Sequence, residues 1–317
     1  MQIDLLVLGY SNFKNTTEPC LLSLIHQAAE VHSKIYVLDN GSPDQSATLQ
    51  REFCKDYPFI KDLYSELNLG YAGGMNYLAQ QALGDWIVLI GSDTVFAPGA
   101  LSTLQQAMKS APENLGMVCP VTNSAGTAQG IDFLGNELST VFQHAQELIK
   151  NPTGMILPLY RADFFCVAIR KTLWNQLKGL DLAYGLGYYE DFDFTMRARQ
   201  LGFECGMVED AVVFHQGSAS FKKSAEQSQL LKRNKKIFLK RFPQAELRHR
   251  RLDHLKSIQY YLELPQEKLA QEPIKKRIFW RLQIVQRDQP RSFWKKWIWQ
   301  KKLHKLMSHP FFTQNSR

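Results

Sequence analysis

The stretch IDLLVLGYSNFKNTTEPCLLSLIHQAAEVHSKIYVLDN, residues 3–40, decides the fold. Its first eight residues form an apolar run that predicts a buried strand, and KIYVLDN at its end predicts a second strand. The amphipathic residues 16–32 between them predict a helix, with Thr16 or Thr17 near its cap and Pro19 in its first turn. A strand, a helix and a strand in this order favour two parallel neighbours joined by a crossover helix.

The same alternation continues through the first half of the chain. Further strands are predicted around residues 60–65 and 85–93, and further helices at 42–57 and 73–83. Repeated alternation indicates an α/β fold with a mainly parallel sheet covered by helices on both faces. In such sheets, ligands bind outside the carboxyl ends of the strands.

Two acidic residues follow predicted strands. Asp39 ends the second strand, in VLDNGS, and Asp93 ends another, in VLIGSDT. We therefore expect both carboxylates to project into one crevice at the same edge of the sheet. Asp-Asn-Gly-Ser is also common turn chemistry, which leaves a structural role open for Asp39. Two acids at two strand ends favour a ligand site.

Three glycines stand at the start of the helix predicted at 73–83, namely Gly70, Gly73 and Gly74. Glycine lets the backbone approach a ligand closely, and the first N–H groups of a helix can bind an anion such as a diphosphate. The spacing differs from GxGxxG and from a P-loop, so a plain loop-to-helix turn is the alternative.

The second half of the chain is less regular. Residues 155–177 predict a strand followed by a short helix, and residues 210–221 predict a last apolar strand. His215 lies near the end of that strand, before a Gly-Ser turn. A histidine at a strand end is usually a partly buried polar residue, but this one would face the same edge as the two acids.

Three carboxylates, Glu190, Asp191 and Asp193, crowd into four positions of GYYEDFDFTMRARQLGF, residues 187–203. Acids at a helix start cap the helix and complement its dipole. Neighbouring carboxylates and partial burial under aromatic residues also raise a carboxyl pKa, which suits a general base. For Asp193 we expect a structural partner one turn later, Arg197.

The charge is divided unevenly along the 317 residues, whose net charge is +8. Residues 1–217 hold 13 lysines and arginines against 23 aspartates and glutamates, a net charge of −10. Residues 218–317 hold 25 against 7, a net charge of +18. The acidic part suits a site that holds cations or polarises hydroxyls, and the basic part suits an anionic surface of phospholipid, nucleic acid or acidic glycan.

Other features narrow the class of protein. The five cysteines are scattered without CxxC spacing, so we expect reduced, mostly buried thiols and neither a zinc site nor a disulfide framework. The first apolar run is too short for a membrane span and lacks the flanks of a signal peptide, which favours the cytoplasm. The length suits one large domain with an extension.

Four motifs, in order, resemble glycosyltransferase family 2, a family of inverting enzymes with the GT-A fold that use nucleotide-diphosphate sugars. VLDNGSPDQS is similar to its V-D-N-G-S-x-D-x-S turn, and NLGYAGGMNYLAQQALGDWIVLIGSDT to its N-x-G-[FY]-A-x-x-x-N…[ND]-x-D-T run. EDFDFTMR is similar to the acceptor-side E-D-x-D-[LF]-x-x-R, and HQGSAS to H-x-x-G-x-S. The resemblance covers about residues 3–221 and is to the rhamnosyltransferase-like branch.

The resemblance implies a role for each matching residue. It assigns the catalytic base to Asp191, with Glu190 positioning the acceptor or the base. It assigns a divalent cation, Mg²⁺ or Mn²⁺, to Asp93, the donor diphosphate and His215, although GSDT lacks the second carboxylate of a D-x-D motif. The residues expected to bind the nucleotide sugar are Tyr10, Asp39, Asn68, Gly70, Gly73, Asn76, Ser92 and Asp93.

The resemblance also divides the chain. Residues 1–220 form the predicted GT-A catalytic domain, with a nucleotide-sugar half at about 1–120 and an acceptor half at 121–220. Residues 221–317 form a basic, aromatic-rich helical segment, the C-terminal extension. Its first helix, in FKKSAEQSQLLKRNKKIFLKRF, is expected to pack against the catalytic domain.

The end of the C-terminal extension has the composition of a membrane-surface helix. Ile278, Leu282 and Val285 lie on one helical face among basic residues. RSFWKKWIWQKKLHKLM then combines three tryptophans, Trp294, Trp297 and Trp299, with six basic residues, as interfacial helices do. A single-stranded nucleic-acid binder or a helix docked on a partner enzyme is the alternative.

Together these features predict a cytoplasmic, peripheral membrane glycosyltransferase. It would move a hexose or deoxyhexose, with inversion, from a nucleotide sugar to a surface glycan, including lipid-linked acceptors. The expected partners are the donor, the glycan acceptor and an anionic membrane, and we expect no nucleic acid. The alternative is a non-catalytic GT-A-like scaffold acting through its basic tail. A glycoside hydrolase would need a second, opposed carboxylate that the sequence does not identify.

Overall fold

Strands and helices alternate through the first half of the chain, as the sequence predicts. The computed structural model describes residues 1–217 and 225–314. In these residues the strands are β1 (Ile3–Gly9), β2 (Lys34–Asn40), β3 (Ile60–Ser65), β4 (Trp86–Gly91), β5 (Thr94–Phe96), β6 (Leu115–Val121), β7 (Ile156–Leu159), β8 (Cys166–Arg170) and β9 (Glu204–His215). The helices are α1 (Thr17–Glu30), α2 (Ser46–Lys55), α3 (Gly70–Gln81), α4 (Ala100–Ser110), α5 (Leu138–Lys150), α6 (Lys171–Leu177), α7 (Glu190–Gln200), α8 (Ala225–Arg241), α9 (Arg250–Leu262), α10 (Gln266–Leu269), α11 (Glu272–Arg287), α12 (Phe293–Met307) and α13 (Pro310–Gln314).

The strands form a sheet with a parallel half and a mixed half. The order is β3-β2-β1-β4-β8-β6-β9-β5, and β7 also pairs with β9. β1 is parallel to β2 and to β4, and β2 is parallel to β3, which confirms the predicted parallel arrangement. In the other half, β8 lies antiparallel between β4 and β6, and β9 runs parallel to β6.

Three boundaries differ from the sequence-based expectations. Residues 155–177 contain two strands, β7 and β8, before the short helix α6, where only one strand was predicted. β9 begins at Glu204, six residues before the predicted start, because it continues along β6. α2 begins only at Ser46, since the preceding turn is fixed by Asp44, whose carboxylate accepts hydrogen bonds from the Ser46 and Asn12 N–H groups.

The core lies on both faces of the sheet. All seven residues of β1 are buried, and its side chains alternate between two apolar clusters. Leu5 and Val7 pack on the face covered by α1 and α4, whereas Leu6 and Leu8 pack on the opposite face. The five cysteines are free and buried, as expected.

The C-terminal extension contributes to this core. Ile278, Leu282 and Val285 are buried in the same apolar cluster as Leu6 and Leu8, which corrects the expectation that this face of α11 lies at a membrane surface. The division at residue 220 stays a prediction. It falls among residues 218–224, outside the described part of the chain, together with the end of the HQGSAS motif and the first residues of the C-terminal extension.

Helix α12 has two apolar faces, which corrects the expectation that its three tryptophans act together. Trp299 is buried, and its Nε1 donates to the Val285 carbonyl at 3.2 Å. Trp294 and Trp297 are exposed on the other side of the helix, at 70% and 46%. Within the described residues, no helix combines the length and the apolar character needed to span a membrane.

Two buried ion pairs join the C-terminal extension to the sheet. Arg281 of α11 pairs with Glu209 of β9, and Arg277 pairs with Asp210 at 2.7 Å. All four side chains are at most 4% exposed. The Tyr261 hydroxyl of α9 also donates to Glu209. The middle of β9 is therefore one point at which the C-terminal extension is held by charge and, among the described residues, the one where both partners are buried.

Replacing Glu209 by Ala should destabilise the protein by about 3–5 kcal/mol, because it leaves the buried Arg281 guanidinium without its counter-ion. The measurement is the free energy of unfolding from denaturant titration. The matched control is Glu147→Ala, which removes an exposed partner of Lys276 and should change that free energy by less than about 1 kcal/mol. Equally small losses of unfolding free energy in both variants would contradict stabilisation by the buried ion pairs at β9.

Candidate active site

A cavity of about 760 Å³ opens at the carboxyl ends of β1, β2 and β4. Tyr10, Asn40 and Gly91 stand at these three strand ends and line it, as the rule for parallel sheets predicts. The other lining residues are Leu8, Asn68, Gly70, Tyr71, Ser92, Asp93, Ser124, Ala125, Gly126, Asp163, Phe164, Phe165, Leu186, Tyr188, Asp191, His215 and Gly217.

Seven of the eleven predicted site residues meet in this cavity. They are Tyr10, Asn68, Gly70, Ser92, Asp93, Asp191 and His215. The other four, Asp39, Gly73, Asn76 and Glu190, lie elsewhere in the surrounding structure. The cavity therefore brings together Asp93 and Asp191, the acids of two distant segments.

Asp39 belongs to the turn after β2. It is buried, and its carboxylate accepts hydrogen bonds from the N–H group and the hydroxyl of Ser42. Its neighbour Asn40 lines the cavity instead. The turn chemistry left open for Asp39 is thus present, and the expected projection of its carboxylate into the crevice beside Asp93 is corrected.

Gly73 and Asn76 lie within α3, which begins at Gly70 and not at the predicted residue 73. Both amide atoms of Asn76 bond to the backbone of Leu180, each at 2.9 Å, so this side chain holds α3 to a neighbouring segment. A side chain at Gly73 would press on Leu69. These two residues support the wall of the site, and their direct contact with a nucleotide sugar stays a prediction.

The start of α3 is not an open anion site. The N–H of Leu69 donates to Asn40 Oδ1 at 3.1 Å, and the N–H of Gly70 donates to Asn68 Oδ1 at 2.8 Å. The N–H of Tyr71 donates to the Leu186 carbonyl. Protein oxygens thus already accept from these three N–H groups, and the predicted binding of a diphosphate near Gly73 and Gly74 stays a prediction without support from this geometry.

Asp93 and His215 form a pair across two antiparallel strands. Asp93 lies between β4 and β5, and the pairing of Thr94 with His215 places the two side chains together. His215 Nε2 lies 3.4 Å from Asp93 Oδ2. His215 Nδ1 lies 2.9 Å from the Ser124 carbonyl oxygen, which can only accept, so Nδ1 carries a proton. Nε2 then faces Asp93 with a lone pair in the neutral ring or with a second proton in the charged ring.

The surroundings of His215 favour its charged form. Burial lowers its pKa, but the Asp93 carboxylate and the Ser124 carbonyl outweigh burial, so the net direction is upward. The imidazole also stacks on the Phe165 ring at 5.3 Å. The pair can therefore bind a cation through the neutral ring or neutralise an anion through the charged ring.

Glu190 and Asp191 begin α7, after Tyr189 at its cap position. Asp191 therefore stands both at the start of the helix and in the wall of the cavity. Glu190 is only 7% exposed, and its Oε2 has no hydrogen-bond partner among the described residues. An unpaired buried carboxylate oxygen beside Asp191 is unusual outside functional sites.

Both carboxyl groups resist ionisation, as the sequence analysis expected for the base. Burial raises the pKa of Asp191 to about 6; the Arg161 guanidinium opposes this, and the Asp163 carboxylate adds to it. Burial and the Asp191 charge raise the pKa of Glu190 to about 8. At neutral pH the pair therefore holds an ionised Asp191 next to a protonated Glu190.

Asp193 has the structural role that was predicted for it. Its carboxylate is fully buried and pairs with Arg197, one turn later. It also accepts from the Tyr184 hydroxyl at 3.0 Å and from Arg241 of α8 at 2.6 Å. Asp193 thus joins α7 to the C-terminal extension and stays out of the cavity.

Arg161 and Asp163 were missed by the sequence analysis. Asp163 lines the cavity, and its carboxylate accepts from the N–H groups of Gly126 and Thr127 at 2.7 and 3.0 Å. Arg161 Nη2 donates to its other oxygen at 3.0 Å. The signal was a charged pair, RAD, directly before the apolar run FFCVAI, in a region read as one continuous strand.

Comparisons with known proteins agree with this geometry. Residues 9–166 match the model of Glycosyl transferase family 2, a range that includes Asp93 but not Asp191 or His215. An uncharacterized glycosyltransferase of Haemophilus influenzae is 24% identical over 188 residues, which is 57% of each chain. The uncharacterized glycosyltransferase YfnE of Bacillus subtilis is 31% identical over 119 residues, 38% of this chain and 29% of its own length. The chain thus spans little more than half the length of one curated relative and less of the other.

Two solved structures share the fold at 14% identity. The mannosyltransferase PcManGT from Pyrobaculum calidifontis, in complex with GDP-Man and Mn²⁺, has a TM-score of 0.52 over 99% of this chain and 83% of its own. GalNAc-T7, with UDP, GalNAc and Mn²⁺, has a TM-score of 0.59 over 98% of this chain and 58% of its own. At this identity the likeness shows the fold alone. The family-model match makes residues 9–166 part of glycosyltransferase family 2, and the sheet and these neighbours give the chain the GT-A fold.

Proposed function

We propose that the protein is an inverting glycosyltransferase that moves a hexose or deoxyhexose from a nucleotide-diphosphate sugar to a hydroxyl of a surface glycan. The observation that carries the proposal is that Asp191 and the Asp93–His215 pair line one cavity. They come from three different elements: the start of α7, the end of β4 and the end of β9. A base and a group that stabilises a departing diphosphate are the two functions that this transfer needs.

In the proposed reaction, Asp191 accepts the proton of the acceptor hydroxyl. The oxygen of that hydroxyl attacks the anomeric carbon of the donor, a new C–O bond forms, and the bond from the anomeric carbon to the diphosphate oxygen breaks. The electron pair of the broken bond leaves with the nucleoside diphosphate, so the configuration at the anomeric carbon inverts. The raised pKa of Asp191, about 6, suits a base that works near neutral pH.

Glu190 is proposed as the residue that positions this base. With its pKa raised to about 8, it is protonated at neutral pH and can donate a hydrogen bond to a neighbouring oxygen. Its unpaired Oε2 is the atom available for that contact. Because Glu190 is protonated, it places no second negative charge beside Asp191.

The donor is proposed to lie along Tyr10, Asn40, Asn68 and the Ser92–Asp93 segment. GDP-Man and UDP are bound in the two neighbouring structures, which supports a nucleotide-diphosphate donor without choosing the nucleotide. A contact between Asp39 and the nucleotide base stays a prediction. Its carboxylate has about four acceptor sites, and Ser42 uses two of them.

The residues fit a divalent cation if the donor completes its coordination. The described residues contain no group of three or more His, Cys, Asp or Glu that could hold a metal ion. Asp93 and His215 supply one oxygen and one nitrogen ligand, and Mg²⁺ commonly takes one or two protein ligands together with substrate phosphates and water. We propose that this pair holds Mg²⁺ or Mn²⁺, which when bound would neutralise charge on the diphosphate.

We also propose that the protein works at an anionic membrane surface in the cytoplasm, where lipid-linked acceptors lie. Four apolar side chains on the outer face of α12 are exposed, namely Phe293, Trp294, Trp297 and Ile298. Lys301 stands over the Trp297 ring at 3.5 Å, and Lys295, Lys296, Lys302 and Lys305 are exposed around it. Indoles beside lysines suit the headgroup region of an anionic bilayer.

Replacing Asp191 by Asn should lower transfer by about 10²–10⁴-fold, because the amide cannot accept the proton. Donor binding should stay within about twofold, since Asp191 acts on the acceptor. Asp93→Ala should instead lose the Mn²⁺-dependent part of donor binding. The measurements are nucleotide release from UDP-, dTDP- and GDP-sugars, and calorimetric titration of those donors in MnCl₂ or EDTA.

The matched control for these two substitutions is Asp85→Asn, which changes a carboxylate that is 68% exposed outside the cavity. It should leave turnover and binding unchanged. Equal turnover in Asp191→Asn and the unaltered protein would reject Asp191 as the base. Donor affinity of Asp93→Ala that is still higher in MnCl₂ than in EDTA, by as much as in the unaltered protein, would reject the cation site.

The rate should rise with pH through about 6, because the base works only when ionised and its folded-state pKa is about 6. Arg161→Met removes the positive charge that opposes the raised pKa of Asp191, so the acid limb of the kcat profile should move to higher pH by about one pH unit. Arg199→Met, on the exposed side of α7, is the control and should leave the profile in place. An unchanged profile in Arg161→Met would contradict the electrostatic assignment.

Trp294→Ala with Trp297→Ala should weaken binding to vesicles of phosphatidylglycerol and phosphatidylcholine by about tenfold or more, since the indoles supply the apolar contact. The measurement is co-sedimentation at two salt concentrations, because the lysine contribution is screened by salt. The control, Leu67→Ala with Leu83→Ala, removes two exposed apolar residues elsewhere on the surface. Binding to pure phosphatidylcholine alone, or to single-stranded oligonucleotides and not to vesicles, would overturn the membrane proposal.

A further inference from the structure

The segment that precedes the two acids of α7 has a strained backbone. Tyr188 and Tyr189 both adopt left-handed conformations, with φ of 70° and 75°, and Gly185 does so as well, with φ of 68°. Two consecutive non-glycine residues in this region are unfavourable, because Cβ approaches the neighbouring carbonyl oxygen. Such strain persists only where the surrounding contacts enforce it, and it concentrates at functional sites.

One side chain of the C-terminal extension supplies the enforcing contacts. Asn234 of α8 is fully buried, and its amide nitrogen lies 2.7 Å from the Tyr184 and Gly187 carbonyl oxygens and 3.0 Å from that of Tyr188. Its Oδ1 accepts from Arg233 at 3.0 Å, which fixes the orientation of the amide. Three carbonyls of one short segment thus converge on a single donor group.

The strained segment contributes to the cavity wall and leads directly into the proposed base. Tyr188 and Leu186 line the cavity, and Glu190 and Asp191 follow Tyr189 directly. The Leu186 carbonyl accepts from the N–H of Tyr71 in α3. A change in the path of residues 184–189 would therefore move the base and the cavity wall together.

Neighbouring contacts of α8 hold the helix in register with this segment. Phe238, one turn after Asn234, stacks on Phe192 of α7 at 4.3 Å and packs on Tyr189 at 5.3 Å. Arg241 pairs with Asp181 and Asp193, on either side of the strained segment. The ion pairs and the ring contacts place the helix, but only Asn234 among these residues bonds to the strained carbonyls.

We infer that Asn234 is a positioning residue, a buried amide from the C-terminal extension that holds residues 184–189 in the left-handed path that presents Asp191 to the cavity. The inference rests on the proposed function in naming Asp191 as the base. The clamp itself is a property of the backbone and can be measured without any substrate. It also gives the C-terminal extension a direct part in the site, besides covering the sheet.

The test compares Asn234→Ala with Asn234→Ser, whose hydroxyl keeps one donor and which serves if the alanine variant does not fold. Asn234→Ala should speed amide hydrogen exchange in peptides covering residues 184–192 by about tenfold or more, and leave peptides of β1 unchanged. Its kcat should fall by about 10- to 100-fold with the donor KM within about twofold, because the base is displaced and the donor contacts are not. The exchange rate and the kcat of Asn234→Ser should lie between those of Asn234→Ala and those of the unaltered protein.

The decisive arm is rescue. Tyr189→Gly in the Asn234→Ala background places glycine at φ 75°, where it is unstrained; compared with Tyr189→Ala in the same background, which equally lacks the ring contact with Phe238 but keeps the strain, it should slow exchange in residues 184–192 and recover part of the lost kcat. Lys235→Ala, the neighbouring exposed residue of α8, is the control and should change neither readout.

Unchanged exchange in both Asn234 variants would overturn the inference, as would a uniform rise in exchange throughout the protein, which indicates general destabilisation. Fast exchange that Tyr189→Gly fails to slow would also overturn it. If Asp191→Asn proves fully active while the Asn234 variants still loosen residues 184–192, the proposed base is wrong and the clamp stands. The two failures are therefore distinguishable.

Discussion

The backbone pairing of the parallel strands is the constraint on which the site depends. β1 pairs in parallel with β2 and β4 in continuous register, so the carboxyl ends of the three strands lie at the same edge of the sheet. Tyr10, Asn40 and Gly91 reach the cavity for that reason and not because of their own chemistry. β9 then brings His215 to the same edge by pairing with β5, immediately after Asp93. Strand pairing thus sets the positions of Tyr10, Asn40, Gly91 and His215 at the cavity.

The parallel half of the fold could be predicted from the sequence because its signals are local. The apolar runs of β1, β2 and β4 and the amphipathic helices between them fall within 110 residues. Each of these segments shows a single hydrophobic periodicity, that of a strand or that of a helix. The mixed half could not be predicted in the same way. Whether β8 inserts antiparallel between β4 and β6 is decided by partners about 50 to 80 residues away, and an apolar run such as CVAIR carries no record of its direction.

The residues of the candidate site also divide into those that a local sequence signal marks and those whose role depends on distant contacts. Asp93, Asp191 and His215 could be found because each stands at the end of an element, where the sequence pattern changes. Asp39 also ends a strand, and Asn76 matches the family motif, yet Ser42 and Leu180 take up their hydrogen-bonding groups, which only the three-dimensional structure reveals. Arg161 and Asn234 act through backbone or charge contacts with residues distant in sequence, so no local pattern marks them. Trp299 turned inward for a similar reason, since the Val285 carbonyl was available to its indole N–H.

The shared core has a consequence for how the protein comes into being. A ribosome releases the chain from its amino end, so β1 to β9 are complete before α9, α11 and α12 exist. Until those helices emerge, the apolar residues of β7 on that face, Leu157 and Leu159, lack the cover that α9 later provides. A prematurely terminated product would expose this face to the solvent and to proteolysis. The cover of this sheet face therefore forms only after the C-terminal extension has been synthesised.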